Sequence, residues 1–218
     1  MSASPNASGV DPALIAGWVA ARSCARGVAA PVADHGGWRV DTRSDVEWCR
    51  YIFARADREI SMLARTIGRP QVFIKVCATD ADMLALLPND WALQARCWVM
   101  TATVDPTHRP LAAGYRLRVD ETDGVIAATI VAPDGTFAAS GYAAETAGVF
   151  AYDRIVTSPD HQRRGLGHAV MGALRGQRRD AASREILVAT DQGRALYTSL
   201  GWTVQSAYAS ALSPAVYA

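Results

Sequence analysis

The stretch from Tyr152 to Leu174, YDRIVTSPDHQRRGLGHAVMGAL, constrains the fold of this 218-residue chain more than any other. β-Branched and aromatic residues crowd Val149 to Thr157, which predicts a strand. Ser158-Pro159-Asp160 ends it, because proline donates no ladder hydrogen bond and fixes its own φ. Gln162-Arg163-Arg164-Gly165-Leu166-Gly167 follows, and Leu166, Val170 and Leu174 then recur at helical spacing. The loop therefore opens straight into a helix. A helix's first turn carries unpaired N–H groups and partial positive charge. Gly165 and Gly167 let a ligand approach the backbone closely, and Arg163 and Arg164 add full charges. Together these groups form an anion cradle suited to a pyrophosphate.

Gln162-x-x-Gly165-x-Gly167, placed after a strand and a proline and before a helix, resembles the acyl-CoA pyrophosphate loop of the GNAT acyltransferase superfamily. Two further segments extend the resemblance. Ile186 to Thr190 reads as the next strand. Leu196-Tyr197 followed by Leu200-Gly201-Trp202 resembles that superfamily's helix-end signature. The likeness covers about the last half of the chain. It implies an α+β fold, a mixed and mostly antiparallel sheet flanked by helices. An N-terminal α/β half, residues 1–105, completes or packs on a GNAT-like catalytic domain at 106–218.

Composition bounds the function classes. Half the residues are hydrophobic, enough for a substantial core. A formal net charge of +1 implies no general affinity for polyanions, so nucleic acid is not an expected partner. Cys24, Cys49, Cys77 and Cys97 are widely spaced, with no CxxC or Cys/His cluster, and no metal is expected. The segment MSASPNASGV lacks the basic and apolar parts of a signal peptide, and no apolar run is long enough to span a bilayer. The expected setting is therefore cytoplasmic, away from membranes. Oligomeric state is not legible.

Taken in order, Asp11-Pro12 starts a helix whose apolar face is Leu14, Ile15, Trp18 and Val19. His35-Gly36-Gly37 is a turn between short strands. Ser44-Asp45-Val46-Glu47 has capping-box spacing and predicts a short helix. Helices are expected over 56–67 and 80–87, and strands over 71–78 and 97–104, with a linker over 105–110. Two Asp-Gly turns, Asp123-Gly124 and Asp134-Gly135, separate extended runs and predict an antiparallel meander of four strands, the key strand last, leading into the glycine loop. Trp202 to Leu212 reads as one long bent strand. Here the chain departs from the family it resembles. Two helices usually stand between the first core strands, and Thr122-Asp123-Gly124 leaves no room for them. Either helices of the first half, such as 44–67, dock in their place, or the first half is a degenerate copy of the fold.

The resemblance also implies chemistry. The donor would be acetyl-CoA, held by Gln162, Arg163, Arg164, Gly165, Leu166, Gly167 and, at the helix start, His168. Backbone groups of Ile155 and Thr157, with Val156 between them, would pair with pantetheine. One strand N–H there would stabilise the oxyanion, an effect worth about 3 kcal/mol per donor. Tyr197 matches the tyrosine assigned as acid to the departing sulfur. Thr190 stands where the family often has asparagine. Asp153 is the first choice for general base, on the premise that it shares side-chain parity with Ile155 and Thr157, with Glu145 and Glu121 as alternatives. The acceptor would be an amine of a small molecule or peptide. With no cysteine beside the motifs, direct attack in a ternary complex is expected. A non-catalytic acyl-CoA sensor is the other reading. A dinucleotide site is disfavoured, because the strand sits in a meander and not in a βαβ unit.

Overall fold

A computed structural model describes residues 9–102 and 110–214. Its elements in chain order begin with α1 (Pro12–Ala25), β1 (Val32–Asp34), β2 (Gly37–Asp41), β3 (Cys49–Phe53), α2 (Arg58–Thr66), β4 (Val72–Val76), α3 (Asp80–Leu84), β5 (Ala92–Leu93) and β6 (Cys97–Ala102). They continue with β7 (Arg116–Thr122), β8 (Val125–Val131), β9 (Phe137–Thr146), β10 (Val149–Thr157), α4 (Leu166–Arg175), β11 (Arg184–Thr190), α5 (Asp191–Ser199) and β12 (Trp202–Leu212). The fold is mixed α+β. One twelve-stranded sheet runs β1-β2-β3-β4-β12-β6-β11-β10-β9-β8-β7, with β5 joined to the side of β12.

The meander forms as expected. β7, β8, β9 and β10 pair antiparallel in sequence order. Asp123 and Gly124, the two residues between β7 and β8, both have positive φ, 51° and 76°. That combination matches the twist of the flanking strands and explains the Asp-Gly choice.

The sheet has a two-fold order about its central pair, β12 and β6. Each of these strands pairs antiparallel outward, β12 with β4 and β6 with β11. Next come two parallel pairs, β3 with β4 and β10 with β11. Outside those lie the antiparallel partners β2 and β9. A helix follows β3 as one follows β10, and another follows β4 as one follows β11. The centre is exchanged: β12 ends the second half yet pairs with β4, while β6 ends the first half yet pairs with β11.

Three apolar clusters hold the layers. α4 covers one face of the second half through Leu166, Val170, Met171 and Leu174, against Ile130 and Phe150. α1 covers the opposite face, packing Leu14, Ile15 and Trp18 on Val149, Ala151, Ile186 and Tyr208. Gly17 makes that approach possible, since a Cβ there would stand 2.4 Å from Val149 Cγ2. α2 covers the first half, with Ile60 and Leu63 against Ile74, Val76 and Ala209.

Two expectations are corrected. The helix predicted from Ser44 is a turn. Ser44 Oγ does accept from the Glu47 N–H at 3.1 Å, but Arg50 binds the Glu47 carboxylate and residues 49–53 pair with β2 and β4 instead. The helix that docks on the second half is α1, whereas α2 stays on its own half. The division expected at residue 105 lies outside the described residues.

Candidate active site

β10 and β11 run parallel through only three residue pairs, Val149–Arg184, Phe150–Glu185 and Ala151–Ile186. Beyond Ala151 the pairing stops and the strands part. A polar clamp sits at that point. Tyr152, the next residue on β10, donates its phenol to Glu185 Oε2, and Glu185 Oε1 receives Arg175 at 3.0 Å and Arg178 at 2.7 Å. Glu185 is buried, and Arg175, the last residue of α4, and Arg178 just beyond it supply the counter-charge that burial demands.

The parted strands bound a cavity of about 280 Å³. Tyr152 to Ile155 form one wall and Leu187 to Thr190 the other. α5 contributes Gly193 and Tyr197, and α1 contributes Trp18, Arg22 and Arg26. These α1 residues escaped the sequence reading. Their signal was the i, i+4, i+8 spacing of one tryptophan and two arginines along an otherwise apolar helix.

The glycine loop runs from the end of β10 into α4. Arg163 and Gly165 both have positive φ, 58° and 77°. Gly165 is the N-cap of α4, and no side chain caps that end. In the other described α-helices an oxygen of Asp11, Asp57, Thr79 or Thr190 does so. Nothing lies within 4 Å of where a Gly165 Cβ would be. Gly167 is different: its Cβ would meet Leu196 Cδ2 at 2.9 Å, so its absence lets α5 close on α4. Gln162, Arg163 and Arg164 are exposed. Leu166 is buried in the core, so only its backbone faces the loop. His168 lies in the first turn of α4. An open helix start, two exposed arginines and a glycine with clear space suit a diphosphate.

On β10 the structure corrects the side-chain parity assumed from the sequence. The ladder with β9 slips between Asp153 and Val156, and Arg154 inside that bulge has φ 52°. The extra residue turns Ile155 toward Gly141, Val170 and Leu174 on the α4 side. Asp153 faces α1 instead. There Arg26 grips it through Nε at 2.6 Å and Nη2 at 3.0 Å, with Arg22 at 3.4 Å and Arg154 at 3.3 Å. Burial pushes the Asp153 carboxyl up, but the Arg26 hydrogen bonds and the three guanidinium charges outweigh it and hold it below the usual range. A carboxylate so engaged is a poor proton acceptor. Val156 is exposed and Thr157 partly so, at the end of the strand.

Tyr197 lies in α5 beside Trp202, buried to 7% exposure. Burial, with a contribution from the nearby Asp153 charge, pushes its phenol up to about 12. It therefore holds its proton throughout the neutral range. Thr190 Oγ1 accepts from the Gly193 N–H at 3.1 Å and caps α5. Asp191 accepts from Trp98 Nε1 at 2.6 Å. Glu145 accepts from the backbone of Arg179 and Asp180, and Glu121 pairs with Arg179, so neither lines the cleft. Among the described residues no group of three His, Cys, Asp or Glu side chains is arranged to hold a metal, and no helix is long and apolar enough to cross a membrane.

Two solved structures share this architecture. A GCN5-related N-acetyltransferase from Kribbella flavida superposes with a TM-score of 0.64 at 14% identity, covering 94% of this chain and 96% of that one. A GCN5-related N-acetyltransferase from Sphaerobacter thermophilus gives 0.56 at 14% identity, covering 84% and 79%. At such identities the likeness shows the fold. No curated protein matches the sequence. The acetyltransferase (GNAT) domain family matches residues 96–204, a span that holds β6, the meander, the glycine loop and Tyr197. That span is half of the chain, and the protein belongs to the GNAT acetyltransferase family.

Proposed function

We propose that this protein moves an acetyl group from acetyl-CoA to an amine of a small molecule or peptide, by direct attack with both substrates bound. The observation that carries the reading is the parting of β10 and β11 beside a helix start that no side chain caps. Acetyl-CoA supplies a thioester acyl group already activated toward amines.

On this reading the backbone N–H groups of Leu166, Gly167 and His168, with Gln162, Arg163 and Arg164, hold the diphosphate. The freed edge of β10 from Ile155 to Thr157 pairs with the pantetheine amides, and a main-chain N–H there polarises the acyl carbonyl. The amine nitrogen bonds to the acyl carbon and the carbon–sulfur bond breaks. Tyr197 gives its proton to the leaving sulfur, and the proton lost from the amine returns through water to Tyr197, restoring the phenol. With three arginines around it, Asp153 is a positioning residue that fixes Arg22 and Arg26, and not the base. Thr190 stays on the wall as a helix cap.

The first half, in this account, is a degenerate copy of the same unit. β3 and β4 remain paired through Phe53–Val76, leaving no cleft between them. Asp57 and Glu59 stand at the start of α2, where an anion would be repelled. This half then serves the acceptor side of the other.

The test is acetyl-CoA-dependent release of free thiol with a panel of amines, together with Tyr197→Phe. The variant is expected to lose about 10- to 100-fold in kcat while its acetyl-CoA affinity stays within about twofold. Unchanged kcat would remove Tyr197 from the chemistry. A wild-type chain that binds acetyl-CoA and acylates no amine would be a sensor instead.

A further inference from the structure

A second cavity, of about 300 Å³, adjoins the cleft and shares Trp18, Arg22, Cys97 and Val188 with it. Its floor is the exchanged centre of the sheet. Lys75 on β4 lies directly opposite Ser210 on β12, and Tyr208 lies opposite Cys97 on β6. Phe73 adds a further aromatic wall. The lining contains two cations, Lys75 and Arg22, and no carboxylate.

From this arrangement we infer that the cavity is the acceptor subsite, and that it takes a small amine bearing a carboxylate, with the carboxylate at Lys75, Arg22 and Ser210. The inference rests on the acyl-transfer reading and names its substrate class.

Two independent observations support it. Lys75 is half-buried, and its ammonium lies over the face of Phe73, 4.7 Å from the ring centre. Among the described residues no carboxylate pairs with it. Burial pushes its ammonium down to about 8, with the Glu47 charge opposing and repulsion from Arg50 and Arg22 adding to the shift. An anion alongside would reverse that shift. Secondly, Ser210 Oγ, Tyr208 Oη and Trp18 Nε1 are buried without a hydrogen-bond partner among the described residues. Buried polar groups are normally paired, and all three residues line this cavity, whose polar occupant would give a rotated side chain the partner it lacks. The wall shared with the cleft would let an amine on the same molecule reach toward the acyl group, while the aromatic walls shield the carboxylate from water.

Calorimetry tests this directly. The standard amino acids and their carboxamides are titrated into protein saturated with coenzyme A, which binds without allowing turnover. At least one amino acid is expected to bind tenfold or more tighter than its amide. Lys75→Met should erase that preference, Lys75→Arg should retain most of it, and Ser210→Ala should weaken binding several-fold. Coenzyme A affinity should stay unchanged in all three variants. No heat from any amino acid, equal affinity for acid and amide, or a preference that survives Lys75→Met would overturn the subsite. Absence of heat from coenzyme A itself would instead overturn the proposed function.

Discussion

Three guanidinium groups meet one carboxylate at Asp153, so the wall of the cleft toward α1 keeps a positive surplus. The cluster also joins α1 to β10, because Arg22 and Arg26 come from the helix and Asp153 from the strand. Removing the carboxylate leaves cations uncompensated, and breaking such a pair costs about 3 kcal/mol, the low end of the usual range because the arginines keep some solvent contact. Asp153→Asn should lose that amount in urea denaturation. The sign with pH follows from a folded pKa below the unfolded one near ~3.9. The stabilisation is complete above the unfolded value and disappears as pH falls through the folded one. Wild type should therefore lose its advantage over Asp153→Asn on acidification, and a constant difference between the two down to strongly acid pH would refute the assignment. The sequence misplaced this residue for a local reason. Parity counting assumes an unbroken strand, and Arg154 gives no sign that it adopts the left-handed conformation that glycine usually supplies.

At the scale of elements, the segment from β10 to α4 was legible because its signals are local. Proline ends the strand, glycine permits the turn, and the apolar spacing marks the helix. The meander was legible for the same reason, through its Asp-Gly turns. β3 was not. Its residues follow a plausible capping box, and Ser44 does make the expected bond, yet partners far along the chain decide the outcome. Nor did α1 announce its destination. Its apolar face predicts burial, but only the assembled sheet shows that Arg22 and Arg26 reach the cleft. The proposed acceptor side, drawing on α1, β4 and β12, belongs to no single stretch and carries no motif.

For the whole molecule, the exchanged strands matter most. β12 is eleven residues long and pairs with β6 along its first part and with β4 along its last. Neither half can complete its sheet without a strand from the other. Urea unfolding followed by tryptophan fluorescence and by far-ultraviolet circular dichroism should therefore show one coincident transition, and two separated transitions would show that the halves are independent. The account depends above all on coenzyme recognition at the start of α4, and Arg164 offers a clean probe because it is exposed and its hydrogen bond to the Asp160 carbonyl is a long 3.4 Å. Titrating acetyl-CoA into wild type and Arg164→Glu by calorimetry should show clear binding by the former and at least tenfold weaker binding by the latter, at matched thermal stability. Equal affinities, or no heat from folded wild type, would contradict it.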